Sequence, residues 1–310
     1  MTGPGAGSQP SQSGGQPGGE VDGLPVGGLP AGGPVTVDQP APASALAIGA
    51  HPDDIEFGCG ATLAKWAASG CRVHHLVLTD GSKGSWDPGA DLGALVATRE
   101  AECRSAAEVI DGPNRPRGVV GRPDRAGREG EPDQRVLFLR RIDGGLENAV
   151  EERREVARVI RRLRPEALLG HDPWRRYRLH PDHRAAGFLT LDALVAARDP
   201  HFFPELGLRP HRLSSLLLFE ADLPNHVEDV HGFEDRKVEA FLCHHSQFES
   251  TMGITAGHGP TGDGAEADNV RTEADDGSTA FAAKVLRQLA EHGSLAAVPS
   301  AEAFHRITAL

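Results

Sequence analysis

The chain has 310 residues, a formal net charge of -12 and 39% hydrophobic residues. That share supports a substantial core. No run approaches the roughly 20 apolar residues of a membrane span, and the negative balance argues against general nucleic-acid binding. Cys59, Cys71, Cys103 and Cys243 show no C-x-x-C spacing, which fits a reducing, cytoplasmic setting rather than a disulfide scaffold or a zinc knot. The N-terminus lacks the basic start and apolar block of a secretory leader. Fifteen histidines direct the search toward metal or acid–base chemistry.

Residues 1–43 hold 12 Gly and 8 Pro, and large apolar side chains are sparse. Such a segment buries too little surface to offset chain entropy, so a disordered tail is expected, with one domain over 44–310. Ala45 to Ala50 reads as a buried strand. Ala61 to Ser69 has helical spacing and ends at Gly70, and Val73 to Thr79 is a second strand. Helices follow at Thr98 to Ile110, Leu146 to Leu163, His183 to Ala197, Phe233 to Phe248 and Ala280 to His292. Strand candidates lie at Gly118 to Gly121, Val136 to Leu139, Glu166 to Gly170 and Leu213 to Phe219. The alternation predicts an α/β fold, a mostly parallel sheet with helices on both faces. Thr251 to Thr279 is rich in Gly, Asp, Thr and Ala, and reads as a variable surface loop or a lid.

Two clusters carry chemistry. The first strand ends in His51-Pro52-Asp53-Asp54-Ile55-Glu56, and ligands bind at the carboxyl ends of parallel strands. In a helical turn His51 and Asp54 share a face, while Asp53 points elsewhere. Helix capping alone would need one of these carboxylates and no histidine. The second cluster follows the Ala167-Leu168-Leu169 strand: His171-Asp172-Pro173, then His180-Pro181-Asp182-His183, in which His180 and His183 can face one point. Imidazole with carboxylate suits zinc, with Fe2+ as the competitor, and three protein ligands leave a position for water.

His51-Pro52-Asp53-Asp54 with Glu56, followed by Gly58-Cys59-Gly60-Ala61-Thr62-Leu63, resembles the opening motif of the PIG-L/LmbE-like N-deacetylases. His180-Pro181-Asp182-His183 is similar to their second motif. Thr79-Asp80-Gly81, Thr98-Arg99-Glu100-Ala101-Glu102, and Lys237 with His244, Ser246 and Gln247 fall in the family's order. The resemblance covers roughly Ala45 to Gln247. It implies a Rossmann-like fold and removal of an acyl group from the amine of a small N-acetylated sugar. It implies zinc ligation by His51, Asp54 and His183, with Asp53 as general base. His180 would be a cationic oxyanion stabiliser, and Arg99, Asp143 and Tyr177 would contact substrate. Homo-oligomerisation is left open. Two rivals remain at this level. One is an Fe(II) oxygenase using His51, Asp53 and His183, although such triads commonly stand on a jelly roll. The other is a non-catalytic sugar-binding or metal-storage protein, for which Asp53 would be dispensable.

Overall fold

The computed structural model describes residues 34–112, 135–254 and 268–310. Eight strands form one sheet in the order β1-β7-β8-β6-β5-β2-β3-β4. They are β1 (Thr36–Val37), β2 (Ser44–Gly49), β3 (Arg72–Thr79), β4 (Val136–Arg141), β5 (Ala167–His171), β6 (Ser215–Phe219), β7 (His226–Asp229) and β8 (Ala301–Ile307). The helices are α1 (Asp54–Ala68), α2 (Leu92–Asp111), α3 (Val150–Leu163), α4 (Pro181–Arg198), α5 (Glu234–Leu242) and α6 (Asp268–Ser294).

The central strands read as apolar runs because both of their faces are covered. Leu46 and Ile48 of β2 point into one layer with Leu168, Leu216 and Leu218, under Val156 and Ile160 of α3 and Leu189 and Ala193 of α4. Ala45 and Ala47 point the other way, with Leu169 and Leu217, under Leu63 and Trp66 of α1 and Ala106 and Ile110 of α2. This alternation is the two-residue period of a strand, realised on both faces at once. β2 pairs in parallel with β3 on one side and β5 on the other. The strand order therefore reverses between β2 and β5, where a crevice opens at the carboxyl ends.

The Rossmann-like expectation is realised, with antiparallel additions at one edge. β8 runs antiparallel to both β6 and β7. Neither β7 nor β8 was legible, because both are polar-interrupted, as in His226-Val227-Glu228-Asp229, and β7 is short as well.

Several expected boundaries need correction, among them the starts of α1, at Asp54 rather than Ala61, and α2, at Leu92 rather than Thr98. The structured chain begins before Ser44: Thr36 and Val37 pair with His226 and Val227. Residues 268–279, expected as loop, belong to α6. The helix expected over 233–248 ends at Leu242, then passes through a 3-10 turn at His245–Gln247 and a wider turn at Phe248–Met252. Glu102 of α2 draws it out of register by accepting from Ser246 N at 2.8 Å and from the Ser246 hydroxyl. Residues 1–33, the strand candidate at Gly118 to Gly121 and residues 255–267 lie outside the described residues.

Candidate active site

β2 ends at Gly49, and the chain turns at once into α1. His51 N–H donates to Asp54 Oδ2 at 2.7 Å and closes that turn. Asp53, at the mouth of α1, has φ 147° and ψ -19° and makes no capping hydrogen bond. That backbone region favours glycine and costs an ordinary residue on the order of 1–3 kcal/mol. Asp53 is thus held in a strained conformation without serving as a cap. Its Oδ1 lies 3.4 Å from Arg99 Nη2.

β5 supplies His171 at its last position, and α4 supplies His180 and His183. His180, not Asp182, is the α4 cap: its Nδ1 accepts from Asp182 N at 3.3 Å. The two clusters meet across the switch point. His51 Nδ1 lies 3.2 Å from His183 Nε2. His183 Nε2 lies 3.2 Å from Asp54 Oδ1, and His51 Nδ1 lies 3.3 Å from Asp54 Oδ2. Donors about 2.0–2.1 Å from a tetrahedral zinc stand about 3.3–3.4 Å apart, close to these three contacts, in which Asp54 meets His183 through Oδ1 and His51 through Oδ2. His51–His180–His183 and Asp54–His171–His183 are overlapping donor trios on the same spot.

Two of these three residues, His51 and Asp54, are held from behind. His51 Nε2 faces Asp143 Oδ1 at 3.2 Å and Asp182 Oδ2 at 3.3 Å. A ligating histidine keeps its orientation by giving its second nitrogen to a carboxylate in this way. Asp182, fully buried, also accepts from Gly144 N at 2.6 Å and Leu146 N at 3.2 Å. Asp54 Oδ2 lies 3.1 Å from His171 Nε2. His171 Nδ1 in turn meets Arg178 Nη1 at 3.0 Å and Glu220 Oε2 at 3.4 Å.

These contacts fix the charges. Burial opposes protonation of His51, but its bonds to Asp143, Asp182 and Asp54 outweigh it and hold the pKa well above the ordinary value. Burial would raise the pKa of Asp54, yet His183 and His171 hold it well below the usual range. Asp53 goes the other way: burial, reinforced by Asp54 and opposed by Arg99, raises its pKa. A carboxylate shifted upward is a better proton acceptor at neutral pH. The expected cationic His180 is not what its surroundings favour. Burial, then His51 and His183, lower its pKa. Because Nδ1 accepts from the α4 backbone, the neutral ring is assigned its proton on Nε2, which still makes it a donor.

A cavity of about 390 Å³ opens over this centre, lined among others by Asp53, Phe57, Lys83, Arg99, His180 and Gln247. Arg99 is buried and donates to Gly81 O at 2.8 Å and Pro52 O at 3.2 Å. It thus braces the Asp53 turn and reaches the cavity. Asp143 lines the cavity too, but Oδ1 faces His51 and Oδ2 accepts from Lys83 N at 3.0 Å. The carboxylate expected to contact substrate thus also braces His51. Tyr177 is not brought to the cavity: its side chain is 94% exposed, and the buried residue of that loop is Arg178. Asp182 as a brace, Glu220, and Lys83 and Gln247 as lining were missed. Glu220 follows β6 directly, so the rule about strand ends could have flagged it.

Comparison with known proteins agrees with this geometry. The PIG-L family profile, described as GlcNAc-PI de-N-acetylase, matches residues 46–194. The diacetylchitobiose deacetylase of Thermococcus kodakarensis is 34% identical over 206 residues, 66% of this chain and 69% of that one. The 1D-myo-inositol 2-acetamido-2-deoxy-alpha-D-glucopyranoside deacetylase of Streptomyces scabiei is 33% identical over 175 residues, and the chain spans about half of its length, 51%. The N,N'-diacetylchitobiose deacetylase structure from Pyrococcus horikoshii superposes with a TM-score of 0.65 over 86% of this chain and 84% of that one, at 22% identity, a likeness of fold.

A mostly parallel α/β sheet with imidazole and carboxylate donors at its switch point, in a chain 34% identical to a deacetylase, makes this a metal-dependent N-deacetylase, and the sheet removes the jelly-roll oxygenase reading. The chain belongs to the PIG-L family.

Proposed function

We propose that this protein hydrolyses the acetamido group of an N-acetylglucosamine-type sugar or conjugate, giving acetate and the free amine. A zinc-class ion is assigned to His51 Nδ1, Asp54 Oδ1 and His183 Nε2. When bound, such an ion draws charge from an amide carbonyl and lowers the pKa of water toward about 7. Asp53 takes the proton from the attacking water as the carbon–oxygen bond forms. Its raised pKa suits that task, and Arg99 keeps its carboxylate in place. His180 Nε2–H donates to the oxygen that gains charge at the tetrahedral carbon. When the carbon–nitrogen bond breaks, the proton held by Asp53 passes to the departing amine. Arg99 and the cavity walls hold the sugar.

The observation that carries this reading is the cluster of His51, His183 and the two Asp54 oxygens, with contacts of 3.2–3.3 Å, beside a strained, buried carboxylate. The test is free-amine release from N-acetylated glucosaminides by metal-loaded protein and by its Asp53→Asn variant. The variant should retain the metal while losing roughly 10²–10⁴-fold in turnover, the usual span for a general base. Parent-like turnover in that variant would reject the assignment.

A further inference from the structure

Most residues that line the cavity carry polar or charged side chains, yet three large apolar residues beside them in sequence are exposed. Trp86 is 76% exposed, Ile142 69% and Leu179 91%. Each stands next to the lining in sequence: Trp86 two residues after Gly84, Ile142 before Asp143, and Leu179 before His180. They come from three separate loops, after β3, after β4 and before α4. Large exposed apolar residues that adjoin a ligand site in the chain point to a contact surface.

These loops are fixed rather than loose. Lys83 ties the loop after β3 to the loop after β4, through its N–H on Asp143 Oδ2 at 3.0 Å and its Nζ on Asp143 O. Gln247 Nε2 and Ser250 Oγ both donate to Gly84 O, at 3.2 and 3.1 Å. Gly84 lies so close to Arg99 that a Cβ there would stand 2.3 Å from Nη1. The chain is clamped two residues before Trp86, and the indole is displayed to solvent by construction.

Size says what meets it. About 390 Å³ is near the small end of ligand cavities, which run from about 300 to 1,000 Å³. An amino sugar placed with its acetamido group at Asp53 and His180 uses that room. Whatever is attached to the sugar leaves the cavity and lies on the rim.

We propose that Trp86, flanked by Ile142 and Leu179, is a specificity platform for the group attached to the amino sugar, and that this group presents a flat apolar face. An aryl ring and the apolar underside of a second pyranose ring share that chemistry. The inference rests on the deacetylase reading above and adds the class of conjugate.

Three probes separate the sources: N-acetylglucosamine, N,N'-diacetylchitobiose and p-nitrophenyl N-acetyl-glucosaminide. For each, kcat and KM for amine release are measured with metal-loaded parent, Trp86→Ala and Trp86→Phe. The parent should prefer at least one two-ring probe over the single sugar, by a lower KM. In Trp86→Ala that preference, taken as a ratio of kcat/KM values, should fall roughly three- to tenfold, the range of an aromatic stacking contact. Trp86→Phe should restore most of it. Which two-ring probe is preferred tells an aryl group from a second sugar. A fall common to all probes, leaving the ratio unchanged, is a structural effect and overturns the platform. So does an unchanged ratio accompanied by a smaller sedimenting species, which would make the rim a contact between copies of the chain. If the parent releases amine from no probe, the deacetylase reading fails instead. The platform is then judged by calorimetric binding of the p-nitrophenyl probe, which Trp86→Ala should weaken by the same factor; equal affinity in parent and variant overturns it.

Discussion

Lys237 and Glu302 form a buried ion pair inside a break in α1. The break falls at Cys59, with φ -154° and ψ 19°. It leaves carbonyl groups unpaired on one side and N–H groups unpaired on the other. Lys237 Nζ donates to Phe57 O at 2.8 Å on the first side. Glu302 accepts from Ala61 N at 3.2 Å and Thr62 N at 2.8 Å on the second. The two side chains then meet each other. Gly58, beside the break, lets α1 pack closely on β6, because a Cβ there would stand 2.3 Å from the Phe219 ring. A helix from one half of the chain and a strand from its end thus complete the element that carries Asp54 and Phe57.

Removing one partner leaves the other charged and buried. Lys237→Met should cost about 3–5 kcal/mol in urea unfolding, the usual penalty for breaking a buried pair. It should also reduce amine release through the displaced Phe57 turn. A cost under about 1 kcal/mol would show that the break holds without the pair.

The two motifs at the ends of β2 and β5 were legible because the determinants are local. Each is an apolar strand followed at once by histidine and carboxylate, and the parallel-sheet rule brings such ends together. Lys237–Glu302 was not legible, since its members are separated by 65 positions and meet α1 180 residues earlier in the chain. The direction of the His180 pKa was not legible for a related reason. Its pKa is set by burial and by two histidines, of which His51 arrives from the other motif. The displacement of Tyr177 reflects a loop in which Arg178, bonded to His171 and Glu220, takes the inward position.

His171 braces Asp54 without belonging to the assigned ligand triangle. His171→Ala should weaken metal binding by roughly 10–100-fold, the span seen when a ligand's outer partner is removed. Competition with a chromophoric chelator measures it. His183→Ala should lose the ion almost entirely, so the order of the two variants tests which histidine is the ligand.

Glu220 gives the fold an acid-sensitive contact. Burial would raise its pKa, but the hydrogen bond to His171 and the charges of His171 and Arg178 pull it down to about 2 from an ordinary 4.5. A depressed carboxylate contributes stability that is fully present above its unfolded pKa and lost as pH falls through its folded one. The parent should therefore be more stable than Glu220→Gln at pH 6, and the gap should close between about pH 4.5 and 2. Urea titrations at several pH values give the gap directly. A gap independent of pH would show that packing, not charge, is what the substitution removes.

The last prediction concerns the first of the described residues. β1 is only two residues long, yet the segment behind it is well tied. Thr36 N donates to Asn225 O at 3.0 Å, and Asp38 N to Val227 O at 2.9 Å. Gln39 N donates to Glu228 Oε1 at 3.1 Å. Asp38 Oδ1 accepts from Lys65 Nζ at 2.7 Å and from Asp229 N at 2.9 Å. Lys65 also bonds the buried Glu228, so Asp38 completes the coordination of a largely buried ammonium. A chain beginning at Ser44 loses all of these contacts and exposes the edge of β7, whereas one beginning at Pro34 keeps them. At about 0.5–1.5 kcal/mol for each hydrogen bond, with the half-exposed Asp38 carboxylate at the low end, the Ser44 start should be less stable by a few kcal/mol. Its thermal midpoint should fall below that of the Pro34 start. Matching midpoints for the two would mean that β1 rests on the sheet without supporting it.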